Sequence, residues 1–311
     1  MSVSAPPTAG LSSAVRIGLW MLLSAVSFAA LVTIGRYLQG QGLDAFLITF
    51  FRNLFAAAMF LPWLLRQDRR SLASAHWVLH LVRSLSLVAS TTAVFIGFAM
   101  MPLAEATAIT FTAPLFTTLL AALILREKVG PRRWGALAIG FAGVVLMLRP
   151  GEEAFRLAAL ILLFAAFTFA IVSVAGKKMA ASESPEKITA YLAVLSVPVA
   201  LIPALPVWQW PSGEQFLWLA LLGLVATANM YGFARAFRLG DASQAMPYDF
   251  LRLPATALLG WLVFAQSTDL MTWIGAGVIF SATIYISRRE AALARAAQAQ
   301  DAGGDAPPPR R

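Results

Sequence analysis

The stretch "MPYDFLRLPA", Met246–Ala255, sets an acid, a base, a phenol and two prolines inside an apolar run from Ala242 to Phe264. Asp249 and Arg252 are three apart, so on a helix they share a face, with Tyr248 one turn from Arg252. A carboxylate beside a guanidinium can release a proton, or trade its partner for a cationic group on a ligand. The same pair can also be a structural lock between two helices. Pro247 and Pro254 favour the binding reading, because interrupted helices mark transport sites. Pro114 is the matching interruption in an earlier run.

Other polar groups sit where apolar side chains are the rule. Arg52, next to Asn53 in "TFFRNLF", is able to fork a carboxylate or phosphate, or merely neutralises Asp249 or Glu105. Glu105 opens its own run and also fits an interfacial place. Thr91, Thr92, Thr110, Asn229 and Tyr231 add neutral hydrogen-bonding groups. Of these, Asn229 and Tyr231 are the better candidates to face a cavity. Arg83 is shallow enough to snorkel to the surface. His76 and His80 in "HWVLH" have the spacing of a metal pair. With no acid between them and no third ligand, they read as interfacial residues, and no metal or cofactor is expected.

The elements that must hold these groups are long and apolar. The chain has 311 residues, 59% hydrophobic and 13% charged, about half the charge density of a soluble domain. A hydrocarbon core of about 30 Å takes roughly 20 helical residues. Ten segments qualify: 16–37, 45–65, 81–101, 104–124, 134–150, 156–176, 187–207, 214–237, 241–264 and 270–287. The fold class is thus an all-α polytopic membrane protein. The first run reads as a retained span, and Trp63, Trp134, Trp208, Trp210 and Trp273 fall near segment ends as interfacial anchors.

Eighteen lysines and arginines fall on the side of the N-terminus and three on the other, with Arg52, Arg83 and Arg252 inside or at the edge of apolar runs. The positive-inside rule then puts both termini in the cytoplasm. The net charge of +9 is spread over short loops, so no nucleic-acid surface is expected. The absence of Cys excludes thiol catalysis and disulfides. No G-x-S-x-G, Gly-rich phosphate loop or aspartate-rich prenyl-diphosphate motif occurs, so nothing speaks positively for an enzyme.

Shifting the chain by 140 residues lays "LLSAVSFAALVTIG" (22–35) on "LLFAAFTFAIVSVA" (162–175), Pro114 on Pro254, and Gly135-Ala136 on Gly275-Ala276. "GFA" recurs at 97–99 and 232–234 with a five-residue slip. Five spans per half make the second half enter the membrane in the opposite sense. Inverted repeats are the architecture of secondary transporters, with the binding site near the midplane. The domains expected are a tail at 1–13, repeats at 14–150 and 156–289, and a disordered tail at 290–311.

"MPLAEATAITFTAPLFTTLLAALILREKVGPRRWGALAIGFAGVVL" (101–146) resembles the signature of the drug/metabolite transporter superfamily, in its ten-span members with two EamA-type domains. "YDFLRLPATALLGWLVF" and "TWIGAGVIFSATIYISRRE" resemble a subgroup to which S-adenosylmethionine or riboflavin uptake has been assigned. The resemblance implies a proton-coupled or exchange carrier of small organic metabolites in a bacterial inner membrane. Its acid at the end of the ninth span is missing: at the 140 offset from Glu127 stands Ser267, preceded by Gln266. A membrane enzyme acting on a lipid-linked substrate and a non-transporting scaffold are the alternative readings.

Overall fold

The computed structural model describes residues 13–64, 74–126, 131–147, 153–180, 182–239, 248–268 and most of 270–288, with Ala292. Among the described residues all regular structure is helical. In chain order the helices are α1 (Ser13–Gly40), α2 (Ala45–Leu64), α3 (Trp77–Met100), α4 (Leu103–Thr110), α5 (Ala113–Ile124) and α6 (Pro131–Met147). They continue as α7 (Glu153–Met179), α8 (Pro185–Ala204), α9 (Gly213–Leu239), α10 (Arg252–Phe264) and α11 (Thr272–Ala282). Six stretches are long and apolar enough to cross a membrane, the α4–α5 stretch Leu103–Ile124 among them, and Ala45–Met59, Arg252–Phe264 and Thr272–Ala282 are shorter apolar helices.

Two expected spans are interrupted. A proline has no N–H, and its ring excludes the carbonyl four residues back. Pro114 therefore ends α4 at Thr110, and Phe111 and Thr112 close tight turns onto Ala108 O and Ile109 O before α5 begins. Pro254 does the same to Phe250: Leu251 N–H bonds Tyr248 O and Leu253 N–H bonds Phe250 O, and α10 starts at Arg252. The expected helix 241–264 is thus interrupted at Phe250–Leu251, with Tyr248 and Asp249 helical before the break and α10 after it; Pro247 lies outside the described residues. Asp249 and Arg252 flank the break and still pair across it at the expected spacing of three.

The interrupted helices also end alike. Arg126 and Ala265 have left-handed backbones, with φ of 55° and 52°. They align at an offset of 139 (265 minus 126), which sets Glu127 against Gln266, not Ser267. Gln266 Oε1 accepts the Leu103 N–H at 3.0 Å, capping the start of α4 from the end of α10.

α1 packs chiefly on α9 and α10, and α7 on α3 and α5. α2 lies on α8 and α9, α8 on α2 and α3, and α4 meets α10. Small residues let these helices approach closely. A Cβ on Gly97 of α3 would meet Leu162 of α7 at 2.5 Å, and one on Gly232 of α9 would meet the α1 backbone at Trp20 O, 2.8 Å away. A Cβ on Gly143 of α6 would likewise crowd Val278 and Ile279 of α11. The largest apolar core runs through α1, α2, α3, α4 and α7 and is centred on Phe95, Phe98, Leu103 and Leu162.

Candidate substrate site at two helix breaks

Because α4 packs on α10, the two breaks meet. Phe111, at the first, stacks on Phe250, at the second, with ring centroids 5.7 Å apart and 24° between planes. Phe250 also packs on Phe280 at 4.1 Å. Asp249 ends the helical residues just before the break, next in sequence to this aromatic stack.

Arg252 Nε lies 2.9 Å from Asp249 Oδ1, but the N–H is not directed at the oxygen, so the two form an ion pair and no hydrogen bond. Both side chains keep limited exposure, 19% and 18%, although the facing atoms Nε and Oδ1 are themselves buried. The guanidinium lies over Phe28 of α1 at 4.8 Å and Phe233 of α9 at 5.8 Å. Two aromatic faces can hold the cation when the carboxylate lets go. Tyr248 packs against Gly18 in a small cluster with Ile17, Met21 and Ala236.

Arg52 and Asn53 form a second polar centre. Arg52 Nη1 donates to Asn53 Oδ1 at 2.9 Å, and the two have no carboxylate partner among the described residues. Arg52 Nε and Asn53 Nδ2 are buried donors without acceptors among the described residues. One turn back, Thr49 accepts the hydroxyl of Thr92 at 3.1 Å, joining α2 to α3. Unsatisfied buried donors are costly, and a ligand's anionic group would relieve them. The structure does not bring Arg52 into contact with Asp249, Arg252 or Glu105.

The remaining expected site residues are placed apart. Asn229 Nδ2 donates to Ser24 O and Ser24 Oγ at 2.8 and 3.0 Å, so it ties α9 to α1. Tyr231 is 51% exposed, and its ring contacts are with Trp20 and Arg235, not with the break. Thr91 is half-buried; its neighbour Thr92 makes the interhelical bond. Thr110 bonds its own helix at Thr107 O. Glu105 is half-buried in the first turn of α4, where a carboxylate suits the helix dipole.

Sequence reasoning missed a cluster at the start of α3. His80 is not interfacial: it is 1% exposed, stacks on Tyr191 at 4.2 Å and meets Glu183 Oε2 at 2.8 Å. Ser74 donates to the other Glu183 oxygen, and Lys187 Nζ stands 3.6 Å from it. Burial works to raise the Glu183 pKa, but the bonds from Ser74 and His80 and the charges of His80 and Lys187 outweigh it and hold the carboxyl below its ordinary value. Arg83 does not snorkel. It donates to Val172 O and Ile188 O, both at 3.0 Å, pinning α7 to α8. The signal available in the sequence was a lone Glu at the "SES" turn before α8, which carries no address for its partner.

Comparison with known proteins adds a lineage to this geometry. Residues 16–149 and 156–288 each match the EamA-like transporter family. The riboflavin transporter of Vibrio cholerae serotype O1 is 34% identical over 282 residues, covering 89% of this chain and 94% of that one. The S-adenosylmethionine uptake transporter of Rickettsia felis is 32% identical over 267 residues, covering 86% and 90%. A solved crystal structure shares the fold with a TM-score of 0.59 at 19% identity, covering 90% of this chain and 99% of the other. With the family matched across both halves and relatives aligned over most of its length, the chain belongs to the EamA-like transporter family, a family of multi-pass membrane transporters.

Proposed function

We propose that the chain carries a small organic metabolite across the bacterial cytoplasmic membrane by alternating access, as a proton-coupled or exchange carrier. It is built as ten spans in two inverted five-helix repeats, with both termini in the cytoplasm. The helix pairing supports the repeat. Counting α4 and α5 as one span, exchanging each span with the one five places on carries α1–α9 into α7–α3, α1–α10 into α7–α5 and α2–α9 into α8–α3. The α2–α8 and α4–α10 pairs map onto themselves. Gly97 and Gly232, matched in sequence, sit in matched contacts.

The observation that carries the reading is the meeting of two proline-made breaks at an incompletely buried ion pair. Asp249 binds a proton or a cationic group of the substrate. Arg252 then leaves the carboxylate for the faces of Phe28 and Phe233. Tyr248 and Phe250 border the ligand, and Arg52 and Asn53 receive an anionic group with their spare donors. Only a differential affinity for the two conformations can drive the switch, and displacement of this pair supplies one. Substrates of the relatives' kind, riboflavin or S-adenosylmethionine, are the first to test. Counterflow of each into proteoliposomes is expected for at least one. Asp249→Asn is expected to lower its rate at least about tenfold and flatten its pH dependence; a full rate with an unchanged pH profile removes Asp249 from the mechanism.

A further inference from the structure

Two polar clusters outside the proposed site sit in corresponding places of the two halves. The first is the one around Glu183: the start of α3, in the first half, meets the turn between α7 and α8, in the second. Besides the Ser74 and His80 bonds, His76 Nε2 lies 3.0 Å from Ser182 Oγ. The other joins the start of α9 to the turn between α1 and α2. Tyr37 donates to Glu214 Oε1 at 3.3 Å, Gln41 Nε2 to Tyr37 Oη at 2.6 Å, and Gln209 Nε2 to Gly42 O at 2.7 Å. Trp218 Nε1 also donates to Glu214 at 3.4 Å, over a ring contact with Tyr37 at 5.4 Å. The 140 offset lays residues 41–44 on 181–184.

These clusters lie on opposite faces. Arg36 and Gln39, at the end of α1, donate to carbonyls of Phe95, Phe98 and Met101, at the end of α3. The end of α3 is thus level with the Tyr37 cluster. Its start, with His80, is some 20 residues and about 30 Å away along the helix axis. Each cluster crosses between halves, and both are made at once in this structure.

We infer that the clusters are reciprocal latches, one closing each face of the molecule, and that breaking one shifts the halves toward the state in which the other is kept. The inference rests on the carrier reading above, and it names the residues that gate that site. The two differ chemically. The Glu183 latch is ionic, with an imidazole and a lysine on one carboxylate. The Tyr37 latch joins one carboxylate to neutral donors. A substitution can therefore weaken one face without touching the chemistry of the other.

The cysteine-free chain permits a direct test. Met179→Cys and Leu38→Cys are single reporters, 1% and 0% exposed behind the Glu183 and Tyr37 latches respectively. Alkylation by a maleimide in detergent reads the opening of each. Glu183→Gln is expected to speed labelling at position 179 about tenfold, roughly what a charged hydrogen bond is worth, and to slow it at position 38. Tyr37→Phe with Glu214→Gln is expected to do the reverse. Faster labelling behind the broken latch with no slowing at the other, or no change at either, overturns the inference. Should Glu183→Gln not fold, the Tyr37→Phe, Glu214→Gln chain decides by the same two rates. Counterflow of riboflavin and S-adenosylmethionine is a separate arm. Reciprocal labelling without counterflow retires the carrier reading and keeps the latches; counterflow with independent labelling does the opposite.

Discussion

Glu183 shows how a surface-looking acid becomes structural. It is 4% exposed and held by Ser74 from the preceding loop, His80 from α3 and Lys187 from α8. Its pKa is lowered on folding, so the stability it contributes is present above the unfolded value, about 4.3, and is lost as pH falls through the lower folded value. Wild type is thus expected to exceed Glu183→Gln by about 1.5–3 kcal/mol at neutral pH. That gap should close on the acid side, and Tm measured in detergent across a pH series checks it. At the other residue of interest, Asp249, the sequence sufficed to raise suspicion, because an acid inside an apolar run is costly wherever it points. Its partner was visible too, being only three residues away.

Helices are where close approach decides stability. The two matched glycines differ in what they face. The Cβ of Gly97→Ala would meet side-chain atoms of the buried Leu162, which a rotamer change can shift, while that of Gly232→Ala would meet the backbone of α1 at Trp20 and Ser24, which cannot shift so readily. Gly232→Ala is expected to destabilise by about 1–3 kcal/mol and Gly97→Ala by clearly less. Thermal denaturation of the two purified variants measures the difference. The prolines were legible as interruptions. That they stop α4 at Thr110 and postpone α10 to Arg252, so that Phe111 and Phe250 meet, was not. A proline states which carbonyl it excludes; what fills the break depends on the other half of the chain.

At the scale of the whole molecule, the arginine and lysine distribution sets the orientation to be tested. Both termini are expected on the cytoplasmic side, with the turn at 41–44 outside. A single cysteine at Gln41 should react with an impermeant maleimide added to intact cells, and one at Ser182 should react only after the membrane is opened. The opposite pattern would reverse the orientation of both latches without dissolving them.

Apolar run length and charge placement by themselves pointed to a helical membrane protein, since each is a local property that hydrocarbon thickness or insertion reads directly, and the resemblance carried by residues 101–146 pointed to a transporter. Tertiary structure alone decided which polar groups meet: Gln266 with Leu103, Asn229 with Ser24, His80 with Glu183, and Tyr37 with Glu214. These partners lie 103 to 205 residues apart in all four cases. Nothing in the local chemistry of either member points to the other until the helices of one half are laid against those of its counterpart.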